Sequence, residues 1–100
     1  MPAFVVGDLR ITDLAKFTAM VPEFLASIAR GGGRVVLSGG NNMEVFDGGP
    51  MPERVVVIQF PDADAARNWY QSPDNQALLP TRMAATQGCL YMIDGARPVG

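Results

Sequence analysis

The stretch Arg-Val-Val-Val-Ile-Gln-Phe-Pro, residues 54–61, decides the fold of this chain. Its β-branched residues, Val55–Ile58, are followed by Phe60 and make a nearly continuous apolar run, which is typical of a strand buried at the centre of a sheet. Pro61 ends the run, and Asp62 can cap a helix that starts immediately afterwards. The stretch therefore predicts a central strand that leads directly into a helix.

A strand and a helix precede this stretch. Residues 3–11 have the two-residue period of a strand. Apolar residues then recur at three- and four-residue steps over 14–28, and Thr12 or Asp13 can cap the helix that this spacing predicts. Because Pro22 lies inside the apolar stripe, we expect either a kinked helix or two short helices. The other expected elements are a strand over 34–38, a short strand over 43–46, a helix over 62–71, a helical piece over 74–86 interrupted by Pro80, and a last strand over 89–93.

The order of these elements predicts one ferredoxin-like domain over residues 1–95. This is an α+β fold, β-α-β-β-α-β, with an antiparallel four-stranded sheet, both helices on one face, and the first and third strands as central neighbours. The tail over 96–100 is expected to be frayed. The face without helices would be apolar, with Phe4 and Val6 from the first strand and Val55 and Val57 from the third. Since a monomer rarely exposes such a patch, we expect a homodimer that pairs these faces as a dimeric α/β barrel.

Charge and residue usage exclude several classes of partner and site. The net charge is -2 and the eight Lys and Arg residues are scattered, so we expect neither nucleic acid nor a membrane as a partner. The single cysteine, Cys89, is expected to be a buried thiol, and a chain with no intrachain disulfide fits a cytoplasmic location. There is no histidine. This removes histidine-based catalysis and histidine metal ligands, and we expect no metal and no cofactor.

Several short motifs together resemble one known family. They are the opening strand before Thr12-Asp13, Gly32-Gly33-Arg34, residues 54–61, Ala66-x-x-Trp69-Tyr70-x-Ser72, Gln76 and Arg82. On these residues the chain resembles the domain of unknown function 1330 family from about Phe4 to Gly95. The resemblance implies a dimeric α/β barrel, an architecture shared by small cofactor-free enzymes and by stress or degradation proteins. The chain departs from the family pattern at Gln59, where a glutamate is expected, and at Asn75, where a tyrosine is expected.

Asp8 is the candidate for a catalytic general base. Its place in the alternation puts it on the face of Phe4 and Val6, which a dimer would enclose, and a carboxyl group among apolar groups can serve as a general acid or base. The alternative is a solvated carboxylate or one paired with Arg10 or Arg34. Gln59 should lie on the same face, where it could orient a polar ligand or serve as a structural partner of Asp8.

Three arginines and three aromatic residues complete the candidate ligand site. Arg34 and Arg54 could bind a carboxylate, although each opens a strand and is expected to pair with a surface acid such as Glu53 or Asp47. Arg82 follows Pro80 near the expected mouth of the barrel. It could contact a ligand there or form a salt bridge. The aromatic candidates are Trp69 and Tyr70, which cannot both face the core, and Tyr91, which could point into the barrel.

Three functions fit these features. The first is a small dimeric α/β-barrel protein that binds a small, partly apolar molecule, such as a carboxylate, in the barrel between sheet and helices. The second is a cofactor-independent enzyme, an oxygenase, isomerase or cyclase, with Asp8 as general base; this leans on fold analogy. The third is a non-catalytic regulatory or interaction dimer. A cavity of roughly 300 Å³ or more that reaches Asp8 favours the first two, and a dry, filled barrel interior favours the third.

Overall fold

Four strands and three helices follow one another within residues 1–95, which are the residues that the computed structural model describes. Their order along the chain is β1 Ala3–Ile11, α1 Leu14–Arg30, β2 Arg34–Gly39, β3 Arg54–Phe60, α2 Ala63–Gln71, α3 Pro73–Ala85 and β4 Thr86–Asp94. The frayed tail that the sequence predicts lies outside these described residues.

The four strands form one antiparallel sheet in the order β2-β3-β1-β4. The central pair is β1 and β3, in a register that sets Val5 opposite Ile58. This confirms the predicted α+β ferredoxin-like fold, and it confirms the first and third strands as neighbours. The run over 54–61 predicts this result because only a strand with partners on both sides buries so many consecutive apolar residues.

The helices cover one face of the sheet. Side chains from β1, β3, α1 and α2 form the core between them: Val5, Ile58, Phe60, Ile28, Ala66 and Trp69. Each helix begins at a capping side chain, because the carboxylates of Asp13 and Asp62 and the hydroxyl of Ser72 accept a backbone N–H three residues further on. At the far end of α3, the backbone N–H of Thr12 donates to the carbonyl of Ala85 at 2.7 Å. That bond fixes the last turn of α3 against the end of β1.

The other face of the sheet carries no helix, and we call it the open face. The strand registers place these side chains on it: Phe4, Val6, Asp8, Arg34, Leu37, Val55, Val57, Gln59, Cys89, Tyr91 and Ile93. Several of the apolar members are strongly exposed in the single chain, among them Leu37, Tyr91 and Ile93. Cys89 is exposed too, so the prediction of a buried thiol is wrong. Its strand is an edge strand, and its side chain faces away from the helices.

Two predicted details of the elements are wrong, and for a third one of two alternatives is excluded. Helix α3 runs through Pro80 without interruption, and α1 runs through Pro22 as one helix, which excludes the two short helices expected as the alternative to a kink. Both prolines are exposed, and packing of the apolar stripe holds each helix together. The short strand expected over 43–46 does not form. The segment has only four residues and is followed by glycines and prolines, which disfavour strand structure.

Strand β4 begins three residues earlier than the sequence predicts. Gly88 lies inside it at a φ of 133°, and a side chain there would collide with the carbonyl oxygen of Asp8 on the neighbouring strand. A glycine at this position lets the two backbones approach closely. No helix in the described part of the chain is long and apolar enough to cross a membrane.

Candidate functional site

A cavity of about 320 Å³ lies between the start of β4 and the helices α2 and α3. We call it the Arg82 cavity. Its walls include Leu9 and Leu90 from the sheet, Tyr70 from α2, Arg82 and Met83 from α3, and Thr86 at the junction with β4. The volume is at the lower end of the ~300–1,000 Å³ range of small-molecule sites.

Arg82 is the unusual member of this wall. It is only 9% exposed, and its Nη1 atom is buried without a hydrogen-bond partner among the described residues. None of the ion pairs found within residues 1–95 involves it. An arginine remains charged in proteins, and a buried charge without a partner is costly. The position of Arg82 therefore opposes stability, which is typical of a residue kept for binding.

The fold holds Arg82 in place from its backbone. The hydroxyl of Thr86 donates to the carbonyl of Arg82 at 2.7 Å. The backbone N–H of Thr12 donates to the carbonyl of Ala85 in the same turn of α3. The guanidinium carbon lies 5.9 Å from the centre of the Tyr70 ring. This cation–π contact partly compensates the charge, but it leaves the N–H donors of the guanidinium free to bind an acceptor.

A second cavity of about 250 Å³ lies further along β4, between that strand and α2. We call it the Trp69 cavity. Its walls are mainly apolar, from Val5, Ala66, Trp69, Leu90 and Met92, and they also include Tyr70, Tyr91, Arg67 and Gln71. A pocket of this kind suits the apolar part of a ligand.

Trp69 is first of all a core residue. It is 1% exposed, and its ring packs 5.4 Å from that of Phe60 and 5.9 Å from that of Phe24, measured between ring centres. Its indole N–H donates to the hydroxyl of Ser27 at 3.2 Å, and Ser27 in turn donates to the carbonyl of Phe24 at 2.8 Å. The indole is thus fixed in orientation, and one side of it forms a rigid wall of the cavity.

The side chain of Tyr70 points away from the core, because its neighbour Trp69 occupies the core. Its ring is 37% exposed and lies edge-on to Trp69, with 6.3 Å between the ring centres. Its backbone carbonyl accepts two side-chain amide hydrogen bonds, from Asn75 at 2.6 Å and from Gln76 at 2.8 Å. These bonds fix the end of α2, and they therefore fix the backbone position from which the Tyr70 side chain extends beside both cavities.

The structure does not bring Asp8, Gln59 and Arg82 into one pocket. Asp8 and Gln59 lie on the open face, whereas Arg82 reaches the sheet from the helix side. Along the strands, Gln59 is opposite Phe4 and Asp8 is opposite Val55. Four residues of strand separate the two positions, about 13 Å at the usual rise. The prediction that Asp8 and Gln59 are neighbours is therefore wrong within one chain. The two residues share a face, as predicted, but the strand register separates them along it.

The strand arginines bind partners other than the expected acids. Arg34 donates to the side-chain carbonyl of Gln59 at 3.1 Å, across the β2–β3 pair. Arg54 donates to the hydroxyl of Ser38 at 3.1 Å and lies 5.8 Å from the centre of the Phe17 ring. Glu53 instead accepts the backbone N–H of Ile11 at 3.0 Å. The prediction that Arg34 and Arg54 pair with Glu53 or Asp47 is thus wrong.

Comparison with known families places this geometry in context. A family model described as a domain of unknown function, DUF1330, matches residues 2–96. The chain belongs to the DUF1330 family. Among curated proteins, no match to the chain was found.

Solved structures share the fold of this DUF1330 chain at low sequence identity. A protein of unknown function from Rhodopseudomonas palustris, RPA0582, has a TM-score of 0.77 at 17% identity, covering 97% of this chain and 84% of its own. SnoaB, a cofactor-independent oxygenase from Streptomyces nogalater, has a TM-score of 0.71 at 16% identity, covering 98% and 96%. A dimeric protein of unknown function from Bacteroides fragilis has a TM-score of 0.52 at 13% identity, covering 93% of each chain. At these identities the likeness shows the ferredoxin-like fold alone.

The two departures of this DUF1330 chain from the expected pattern have structural consequences. Gln59 gives Arg34 a neutral partner where a glutamate would form an ion pair. Asn75 is 1% exposed, and its side-chain oxygen is buried without a partner among residues 1–95, although its amide nitrogen binds Tyr70. Asn75 therefore binds the end of α2 through its amide nitrogen, whereas its side-chain oxygen has no donor among residues 1–95.

Sequence reasoning missed the sheet side of both cavities. Leu90 and Met92 alternate along β4 and face the helices, and both pack against the core. The strand predicted over 89–93 contains both residues, but the candidate site was placed on the face of Asp8, so the helix-facing side chains were not assigned to it. Tyr91, between them, lies on the open face opposite Val6.

Proposed function

We propose that this protein binds a small, partly apolar carboxylate between the sheet and helices α2 and α3, with the anionic group at Arg82. The observation that carries this proposal is Arg82, which belongs to the wall of a cavity of about 320 Å³ and whose buried Nη1 has no partner within residues 1–95. A carboxylate would supply both the missing acceptor and the missing charge.

Guanidinium chemistry favours a carboxylate over a neutral acceptor. Two parallel N–H donors match two carboxylate oxygens, and such charge-assisted bonds are about twice as strong as neutral ones. The cavity combines the guanidinium with apolar surface from Leu9, Met83 and Leu90, which suits a partly apolar carboxylate. The ring of Tyr70 already lies against the guanidinium, so it would limit where the rest of the ligand can extend.

The geometry favours binding over catalysis by Asp8. Asp8 is exposed on the open face, on the other side of the sheet from both cavities described above. The likeness to a cofactor-independent oxygenase concerns the fold, and one fold hosts many functions. An enzyme that used Asp8 would bind its substrate in a different cavity, of about 380 Å³, which Asp8 lines together with residues 50–53 and 87–89. The buried side-chain atoms without a partner within residues 1–95 lie outside that cavity.

We propose further that two chains pair through their open faces as a homodimer. Support comes from the row of exposed apolar side chains there, which includes Leu37, Tyr91 and Ile93. Two identical apolar faces are complementary to each other about a two-fold axis. A structural neighbour with the same fold is a dimeric protein, and dimer formation would leave the helix side, with Arg82, accessible to ligand.

An NMR titration with benzoate and benzamide tests the ligand proposal. The two probes share a ring and differ in charge. We expect benzoate to bind and to shift resonances of residues around the Arg82 cavity, and benzamide to bind at least about tenfold more weakly. Arg82→Met should abolish the preference, whereas Lys16→Met removes an exposed positive charge on α1 and should leave it intact. Equal binding of the two probes, or benzoate binding that survives Arg82→Met, would refute the carboxylate site.

A further inference from the structure

The Arg82 cavity and the Trp69 cavity share two lining residues. They are Tyr70, from α2, and Leu90, on the sheet beneath. The Tyr70 ring has Arg82 on one side, at 5.9 Å, and the Trp69 ring on the other, at 6.3 Å. The two cavities are therefore neighbouring parts of one groove along β4, and the ring of Tyr70 divides them.

The ring of Tyr70 is held much less firmly than its backbone. Two amide side chains, from Asn75 and Gln76, hold its carbonyl. By contrast, its hydroxyl takes part in none of the hydrogen bonds found within residues 1–95, and more than a third of the residue is exposed. Rotation of an exposed side chain between staggered positions is fast and inexpensive. The ring can thus leave the groove while the backbone of α2 stays in place.

The two ends of the groove differ in chemistry. At one end is the guanidinium of Arg82, with a buried donor that has no partner within residues 1–95. At the other end, Val5, Ala66, Met92 and the fixed indole of Trp69 offer a mainly apolar surface, with Arg67 and Gln71 also in its wall. A short carboxylate would fill only the first part. An elongated one would place its anionic group at Arg82 and its apolar body against Trp69.

We infer, on the basis of the proposed function, that the ligand class is an elongated amphipathic carboxylate that spans both cavities, and that Tyr70 is the residue that selects its length. The ring confines short molecules to the Arg82 cavity and swings aside for long ones. Tyr70 acts here as a specificity-determining residue, since it separates the part of the site that binds charge from the part that binds the apolar body.

A series of phenyl carboxylates tests this length selection. The probes are benzoate, 3-phenylpropanoate and 5-phenylpentanoate, titrated by calorimetry and by NMR. We expect the longest probe to bind at least about tenfold more tightly than benzoate, since its added methylenes enter an apolar cavity. It should also shift the indole N–H resonance of Trp69, which is unambiguous because the chain has one tryptophan, while benzoate should leave that resonance in place.

Variants of Tyr70 separate selection by the ring from simple hydrophobic gain. Tyr70→Ala removes the divider, so benzoate too should reach the Trp69 cavity and shift the indole resonance. Tyr70→Phe keeps the ring and removes a hydroxyl that makes no hydrogen bond within residues 1–95, so benzoate should still leave the indole resonance in place. Tyr70→Leu, with intermediate size, checks that an effect of alanine is not a loss of folding.

The outcomes distinguish this inference from the proposal on which it rests. If benzoate binds through Arg82, but 5-phenylpentanoate binds no more tightly and leaves the Trp69 indole unchanged, the two cavities are separate and the inference is overturned while the carboxylate site stands. If the indole responds to benzoate equally in wild type and in Tyr70→Ala, the ring does not divide the groove. If no carboxylate binds in an Arg82-dependent way, both fail.

Discussion

The guanidinium carbon of Arg82 lies 5.9 Å from the centre of the Tyr70 ring, on the helix side of the sheet. This pair connects a buried donor that has no partner within residues 1–95 to the residue that borders both cavities. The proposed ligand site therefore differs from the one expected around Asp8, which lies across the sheet on the open face. Each consequence of this arrangement can be measured.

Arg82→Met should stabilise the unliganded protein. The substitution replaces a buried charge without a salt bridge in the described chain by an apolar side chain of similar length. We expect the free energy of unfolding to rise by about 1–3 kcal/mol in urea denaturation without ligand. Lys16→Met, at an exposed position, should change it by less than about 0.5 kcal/mol. A loss of stability in Arg82→Met would show that the arginine has a structural partner.

Ser27→Ala should destabilise the core through Trp69. The indole N–H would lose its acceptor while it remains buried, at a cost of about 1–2 kcal/mol. Ser38→Ala is the matched control, because Ser38 also accepts a side-chain hydrogen bond, from Arg54, but at an exposed position. Thermal and urea unfolding of both variants measure the difference. Equal effects of the two substitutions would mean that the Trp69–Ser27 bond contributes little.

Ile93→Glu should dissociate the proposed homodimer. Ile93 is 45% exposed on the open face, so a charge there is tolerated in a monomer but is buried when two faces pair. Leu25→Glu is a close match, since Leu25 is 46% exposed but lies on α1. Sedimentation at micromolar concentration should give about twice the chain mass for the wild type and for Leu25→Glu. A monomeric wild type would contradict the pairing of open faces.

Pro22→Ala should increase stability. Because α1 continues through Pro22, alanine restores a backbone donor and removes the ring clash that costs about 3 kcal/mol in a regular helix. Alanine also gives the unfolded chain more conformational entropy than proline does, which lowers the free energy of unfolding by up to about 1 kcal/mol. The expected net gain in stability is therefore about 1–2 kcal/mol. Urea denaturation measures it. A loss of more than about 1 kcal/mol would show that α1 needs the fixed φ of proline.

The sequence was sufficient to predict the fold because its signals were local and strong. The apolar run over 54–61 and the alternation over 3–11 decide which strands are central and which side chains share a face. The face of Phe4, Val6, Val55 and Val57 was predicted correctly for this reason. Strand register and helix packing, however, depend on the whole chain.

The candidate site could be predicted only in part. Arg82 and Tyr70 were both recognised as candidates, but their contact depends on α3 passing through Pro80 and ending on Thr12. Local propensity predicts an interruption at a proline, and packing overrides it here. Asp8 and Gln59 were predicted to be neighbours because the two-residue period of a strand places both on the same face. The residue that lies opposite each of them depends on the strand register, which the sequence pattern does not give.

The most direct test of the central claim is a crystal structure of the protein with 5-phenylpentanoate bound. We predict a carboxylate oxygen at about 2.7–2.9 Å from Nη1 of Arg82, the usual length of a charge-assisted bond, with the phenyl ring beside Trp69 and the ring of Tyr70 turned aside. A structure in which Nη1 binds a group of the protein itself, and the probe lies on the open face beside Asp8, would contradict the account.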